Sequence, residues 1–159
     1  MNRQSHNDYW SKHQVYDALN AGCNIIEIDV IYLRGNLYLS HSWRPLSCLT
    51  YGSPEMYFEK LASCSGGNAK NIHLYIEVKT GNMKAVPLLT DLINKYPAIN
   101  VLIYGSGDSG RFYVALETMW NCNLYRKKPV VWEKAFAVRN KVERVDVYKE
   151  TNYRWWNRW

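Results

Sequence analysis

Apolar and polar positions alternate with a period of two in short bursts along this chain, and follow a helical period between those bursts. Residues 2–6 are all polar and allow only a short N-terminal strand. Ser11 is placed to cap a first helix over residues 12–21, with Val15, Tyr16, Ala18 and Leu19 facing inward. Gly22 stands where a left-handed C-cap is expected. Residues 24–33 form the strongest strand pattern, rich in Ile and Val. Arg34-Gly35-Asn36 signals a turn, residues 37–41 a short returning strand, and residues 44–52 a loop. Ser53-Pro54-Glu55 opens a second helix running to about residue 63, with Ser as cap and Pro at the first helical position. Gly and Ser at 65–68 mark a loop. Residues 72–78 then predict a strand and 83–96 a helix with Val86, Leu89, Leu92 and Ile93 on its apolar face. Residues 99–104 predict a further strand. A glycine-rich stretch at 105–110 leads into a helix over 111–119.

Strands alternating with helices imply parallel βα units and an α/β fold. The pattern fades beyond residue 125. Residues 130–132 fit a strand, and 139–148 fit either a helix or a strand. No internal repeat is present. At 159 residues the chain reads as one domain with a sizeable core.

Four segments hold the chemistry. They are Ser5-His6-Asn7-Asp8-Tyr9, the Glu27/Asp29 pair, His41, and the Glu77/Lys79 pair, all but the first set in or at the end of apolar runs. Alternation in a strand puts residues i and i+2 on one face. Glu27 and Asp29 therefore point one way, and so do Glu77 and Lys79. Burying unpaired charge is costly, so two acids on one face among Ile and Val call for a partner. A divalent cation would supply it, and three carboxylates suit a hard ion such as Mg²⁺ or Ca²⁺. Two histidines beside such an ion fit a general acid and a general base. Each feature also has a plainer reading. Glu27 and Asp29 fit a salt-bridged strand pair, Glu77 and Lys79 can pair with each other, and His6 and His41 can be terminal and loop residues. His13 and His73 stand outside any motif and read as structural.

The ordered series resembles the glycerophosphodiester phosphodiesterase and phosphatidylinositol phospholipase C-like superfamily. The His-Asn-Asp-Tyr opening is closest to its "altered inheritance of mitochondria" group, and Val78-Lys79-Thr80-Gly81 is also similar to sphingomyelinase D. The order matches, with 21 residues from His6 to Glu27, 35 from His6 to His41 and 36 from His41 to Glu77. The resemblance covers about the first half of the chain. It implies that Glu27, Asp29 and Glu77 hold the metal, that His6 and His41 are the catalytic pair, and that Lys79 faces the phosphate. Where these phosphodiesterases carry His-Arg-Gly, with the Arg on phosphate, this chain has Asn7 and Asp8 after His6.

The resemblance implies a (β/α)₈ barrel, which typically takes about 250 residues. A partial barrel-like arc of about four or five strands, cut short on its C-terminal side, is therefore expected, with chemistry at the C-terminal strand ends. His41 reaches that rim only if the excursion after the second strand folds back over it. Such an arc exposes a sheet edge and apolar surface, which favours self-association.

Charge divides the chain into residues 1–125, a phosphodiesterase-like βα domain, and residues 126–159. The first carries 10 Lys/Arg against 10 Asp/Glu, so the whole +6 lies in the second, together with Trp132, Trp155, Trp156 and Trp159. Such a tail fits an anionic membrane surface, with Trp at the interface. It also fits phosphate contacts and base stacking on nucleic acid, but no recognised binding motif supports that. A mixture of surface and core residues is the plainer reading. Residues 105–110 resemble an anion-cradling loop but lack the Lys of a P-loop. A simple strand-to-helix connection explains them, and Asp108 would then lie at the rim.

Cys23, Cys48, Cys64 and Cys122 form no Cys-x-x-Cys pair, so structural zinc is not expected. Free or buried thiols are the simple reading. A Cys48–Cys64 bridge is the alternative, since sphingomyelinase D enzymes brace that region with a disulfide. No apolar run approaches the roughly 20 residues of a membrane span. The N-terminus lacks a signal-peptide core, which makes a cytoplasmic location the default expectation. The resemblance implies a metal-dependent phosphodiester hydrolase or lyase acting on a glycerophosphodiester or a phospholipid headgroup ester. The alternative is a non-catalytic interaction protein or assembly subunit, a half barrel with a basic binding tail.

Overall fold

The computed structural model describes residues 2–41, 51–64, 72–79, 84–105 and 143–150. The expected tail tryptophans, Asp108, Cys48 and the helix at 111–119 lie outside these residues.

The sheet is built from β1 (Arg3–Ser5), β2 (Ile25–Leu33), β3 (Asn36–Leu39), β4 (His73–Val78), β5 (Asn100–Gly105) and β6 (Glu143–Val145). Its order is β5-β4-β2-β1-β6, with every neighbour on that path parallel. β3 alone runs antiparallel, against the far half of β2. The expected α/β class with a parallel sheet is therefore present. Among the described residues the sheet does not close into a barrel, and β5 and β6 are its two ends.

Alternation gives the sheet two different faces. Ile26, Ile28, Val30, Leu74, Ile76, Val78 and Ile103 point to one side. There they share a buried cluster with Tyr57, Phe58 and Leu61 of α2 (Glu55–Cys64) and Val86, Leu89 and Ile93 of α3 (Ala85–Lys95). The apolar stripe expected for residues 83–96 is thus the buried face of α3. The opposite side of the sheet is mixed. Ile25, Tyr75 and Leu102 are buried there together with Gln4, Glu27, Asp29 and Glu77.

The first helix departs from expectation. A 3₁₀ turn, Asp8–Trp10, comes first, and α1 spans only Tyr16–Asn20. The cause is Asp8, whose Oδ2 accepts a hydrogen bond from the Val15 amide at 2.7 Å. Val15 is held at φ 71°, which stops the helix from starting at residue 12. Ser11 is extended and ends the 3₁₀ turn rather than capping α1. Val15 and Ala18 are buried as expected, but Tyr16 points out and is 49% exposed. The other end of α1 behaves as read. Gly22 takes φ 73°, and the amides of Gly22 and Cys23 bond back to the carbonyls of Leu19 and Ala18, the Schellman closure of a helix.

Candidate functional site

Strand register assembles the site. In the β2–β4 pairing Asp29 stands directly opposite Glu77, and Glu27 opposite Tyr75. Glu27, Asp29 and Glu77 therefore share one face, and one oxygen from each lies within 4.8 Å of the others. Glu27 and Asp29 are fully buried, and Glu77 nearly so. A slip of one residue in either strand would turn its acids into the helix-covered face.

The hairpin after β2 returns His41 to this level. Arg34 and Gly35 both adopt positive φ, 49° and 88°, the twist that suits a two-residue hairpin turn. β3 pairs Leu39 with Val30, and the Ser40 amide donates to the Asp29 carbonyl. His41 then follows, with Nδ1 2.6 Å from Asp29 Oδ2 and its ring 5.7 Å from that of Trp10. The return along β3 thus brings His41 beside Asp29.

The other side of the site comes from both ends of the described chain. β6 pairs with β1 so that Val145 is beside Ser5, and the His6 amide donates to the Val145 carbonyl. The next residues, His6 and Asp146, are thereby adjacent at the C-terminal rim. His6 Nδ1 is 2.8 Å from Asp146 Oδ1, while Nε2 points toward Glu27 Oε2 at 3.8 Å. Both histidines thus hold a carboxylate on Nδ1, which fixes ring orientation. Burial pulls the Asp146 pKa up, but hydrogen bonds from Lys149 and His6 outweigh it and hold it below the usual carboxylate range.

The turn after His6 positions the acids. Asn7 adopts φ 53°, and its amide donates to Glu27 Oε2 at 2.8 Å. Tyr9 donates its hydroxyl to Asp29 Oδ2 at 2.7 Å, and burial together with the Asp29 charge pushes the phenol pKa far up. Asp8 is fully buried. It accepts from Ser5 Oγ at 2.8 Å, Tyr57 hydroxyl at 2.9 Å and the Val15 amide. Asn7 and Asp8, which replace the Arg-Gly of the related pattern, therefore shape the turn. The sequence placed Asp8 and Tyr9 in the Ser5–Tyr9 segment without assigning either a role, and did not single out Asp146.

Lys79 sits inside the acidic cluster. Its Nζ is 2.9 Å from Glu77 Oε1 and 3.2 Å from Asp29 Oδ1. Burial lowers the pKa of this ammonium, but the charges of Asp29 and Glu77 outweigh it and raise it. The contact with Asp29 Oδ1 is an ion pair. That buried oxygen accepts no hydrogen bond among the described residues. The three carboxylates offer hard oxygen donors, and an ammonium already sits against two of them, so the residues fit a small divalent cation. Gln4 of β1, two residues before His6, is also buried, and its amide has no hydrogen-bond partner among the described residues. Among the described residues Cys23 and Cys64 form no disulfide, and Cys122, like Cys48, lies outside them. Among the described residues no helix is long and apolar enough to cross a membrane.

The parallel strands of this α/β domain thus end in three clustered carboxylates flanked by two histidines. Residues 1–77 match the family model of the AIM6-like phosphodiesterase domain. The resemblance read from the His-Asn-Asp-Tyr opening is borne out over that part of the chain. The match takes in His6, Glu27, Asp29, His41 and Glu77, while Lys79 and Asp146 lie beyond it. No curated protein and no solved structure matches the chain.

Proposed function

We propose that this chain is a divalent-cation-dependent phosphodiesterase acting on glycerophosphodiesters or phospholipid headgroup esters. The observation that carries the reading is the convergence of Glu27, Asp29 and Glu77 within 4.8 Å between two carboxylate-paired histidines. Glu27, Asp29 and Glu77 would hold Mg²⁺ or Ca²⁺. When bound, such an ion polarises phosphoryl oxygens and neutralises charge developing on them. His6 and His41 then divide the proton transfers. One takes the proton from the attacking water or substrate hydroxyl as its oxygen bonds to phosphorus. The other gives a proton to the alkoxide as the ester P–O bond breaks. Asp146 and Asp29 keep Nδ1 of each ring as donor, which leaves Nε2 for the reaction. Lys79 supplies a further positive charge for the phosphoryl group. The test is turnover of a chromogenic diester, bis(4-nitrophenyl) phosphate, and of glycerophosphocholine with Mg²⁺, with Ca²⁺ and with chelator. Metal-dependent release of product supports the reading, and no turnover of any diester with either ion overturns it.

A further inference from the structure

Lys79 was expected to face a phosphate, yet its ammonium lies between Asp29 Oδ1 and Glu77 Oε1, two oxygens of the carboxylate cluster. Three buried carboxylates at this spacing repel one another strongly, and a buried charge cluster is stable only with its counter-charge in place. Lys79 supplies that counter-charge from the same face of β4 as Glu77. A divalent ion held by Glu27, Asp29 and Glu77 needs the same oxygens, at about 2.0–2.6 Å. Two cations crowded onto one oxygen pair repel each other, so the ammonium must leave when the ion enters.

We infer that Lys79 is a resident counter-ion that exchanges with the divalent cation, and that this exchange releases the ammonium to bind an anionic phosphate at the rim. The inference rests on the proposed metal site. Its stem suits the role, because Lys is a point charge on a flexible four-carbon chain. The side chain leaves from the C-terminal end of β4 and is 16% exposed, so it needs only rotamer changes to reach the rim. The consequence is an order of assembly. Without the divalent ion the phosphate-binding charge is engaged by acids, and with it that charge is free. Lys79 thereby weakens cation affinity while coupling it to anion binding.

Two measurements on the full chain test this. In the first, Ca²⁺ alone is titrated calorimetrically into wild type and Lys79→Met. The variant binds Ca²⁺ at least tenfold more tightly if Lys79 competes for the oxygens. In the second, wild type is treated with acetic anhydride with and without saturating Ca²⁺, and acetylation is read by peptide mass spectrometry. Ca²⁺ raises labelling of Lys79 several-fold relative to exposed Lys84, and inorganic phosphate added with Ca²⁺ lowers it again. Equal or weaker Ca²⁺ binding by the variant, or Lys79 labelling that Ca²⁺ leaves unchanged or lowers, overturns the exchange while the metal site stands. No Ca²⁺ or Mg²⁺ binding by wild type or variant overturns the metal site and the exchange together. The labelling arm needs no substitution, so it decides even if Lys79→Met does not fold.

Discussion

His6 and Asp146 are 140 positions apart in sequence and 2.8 Å apart in space, because β1 and β6 pair in a register that carries both to the same rim. The contact makes residues 143–150 part of the site. Val147, the next residue, is buried in the main core, so this strand end is anchored on both sides.

Asp146→Asn keeps the shape of that contact and removes its charge. The expected result is a fall in turnover of about 10- to 100-fold, the usual scale for a group that orients a reacting side chain. Melting should change little. Nitrogen chemical shifts of the His6 ring, read by NMR, should show the Nδ1-protonated tautomer in wild type and its loss in Asp146→Ala. Asp146 has its pKa lowered on folding, so its contribution to stability is present above the ordinary carboxylate pKa and is lost as pH falls through the lowered value. An unchanged turnover with an unchanged ring tautomer would remove Asp146 from the site.

Asp8 has a scaffold role, and its loss should be felt in stability. Its removal leaves the Ser5 hydroxyl, the Tyr57 hydroxyl and the Val15 amide without their shared acceptor in a buried place. Asp8→Ala should therefore cost on the order of 3–5 kcal/mol in denaturant unfolding, and Tyr57→Phe about 1–2 kcal/mol. Burial raises the Asp8 pKa despite these donors. A raised pKa means the folded state binds the proton more tightly, so this stabilisation is full below the ordinary carboxylate value. It fades as pH rises through the folded value. Asp8→Asn should remove that slope, which paired unfolding curves from pH 4 to pH 8 will read.

Replacing His6 or His41 with Ala should lower phosphodiester turnover by about 10²-fold or more, the scale of acid–base catalysis. Cation binding should survive, because neither ring belongs to the carboxylate set. A variant with full turnover would exclude its histidine from proton transfer.

The elements that the sequence made legible are those governed by local rules. The Ile/Val run of β2, the Arg34-Gly35 turn, the Ser53-Pro54 start of α2 and the Gly22 cap all appear within a residue or two of expectation. The co-facial acids were legible for the same reason, since alternation alone aligns Glu27 with Asp29. The pairing of Asp29 with Glu77 needed a register that only tertiary structure supplies. Asp146 was missed because a parallel strand pairing across 140 positions leaves no local trace. The short α1 was misread because a side chain outside it, Asp8, took the backbone donor of Val15 and overrode helix propensity. Lys79 was expected on phosphate by analogy, and its ion pairs with Asp29 and Glu77 were not legible because they need the same strand register.

The central claim is that Glu27, Asp29 and Glu77 together hold one divalent cation, and diffraction from crystals grown with Mn²⁺ tests it most directly. The account predicts a single strong anomalous peak within about 2.0–2.6 Å of an oxygen from each of the three carboxylates, with His6 and His41 on either side. Crystals saturated with Mn²⁺ that show no peak there, with the Lys79 ammonium still between Asp29 and Glu77, would contradict it.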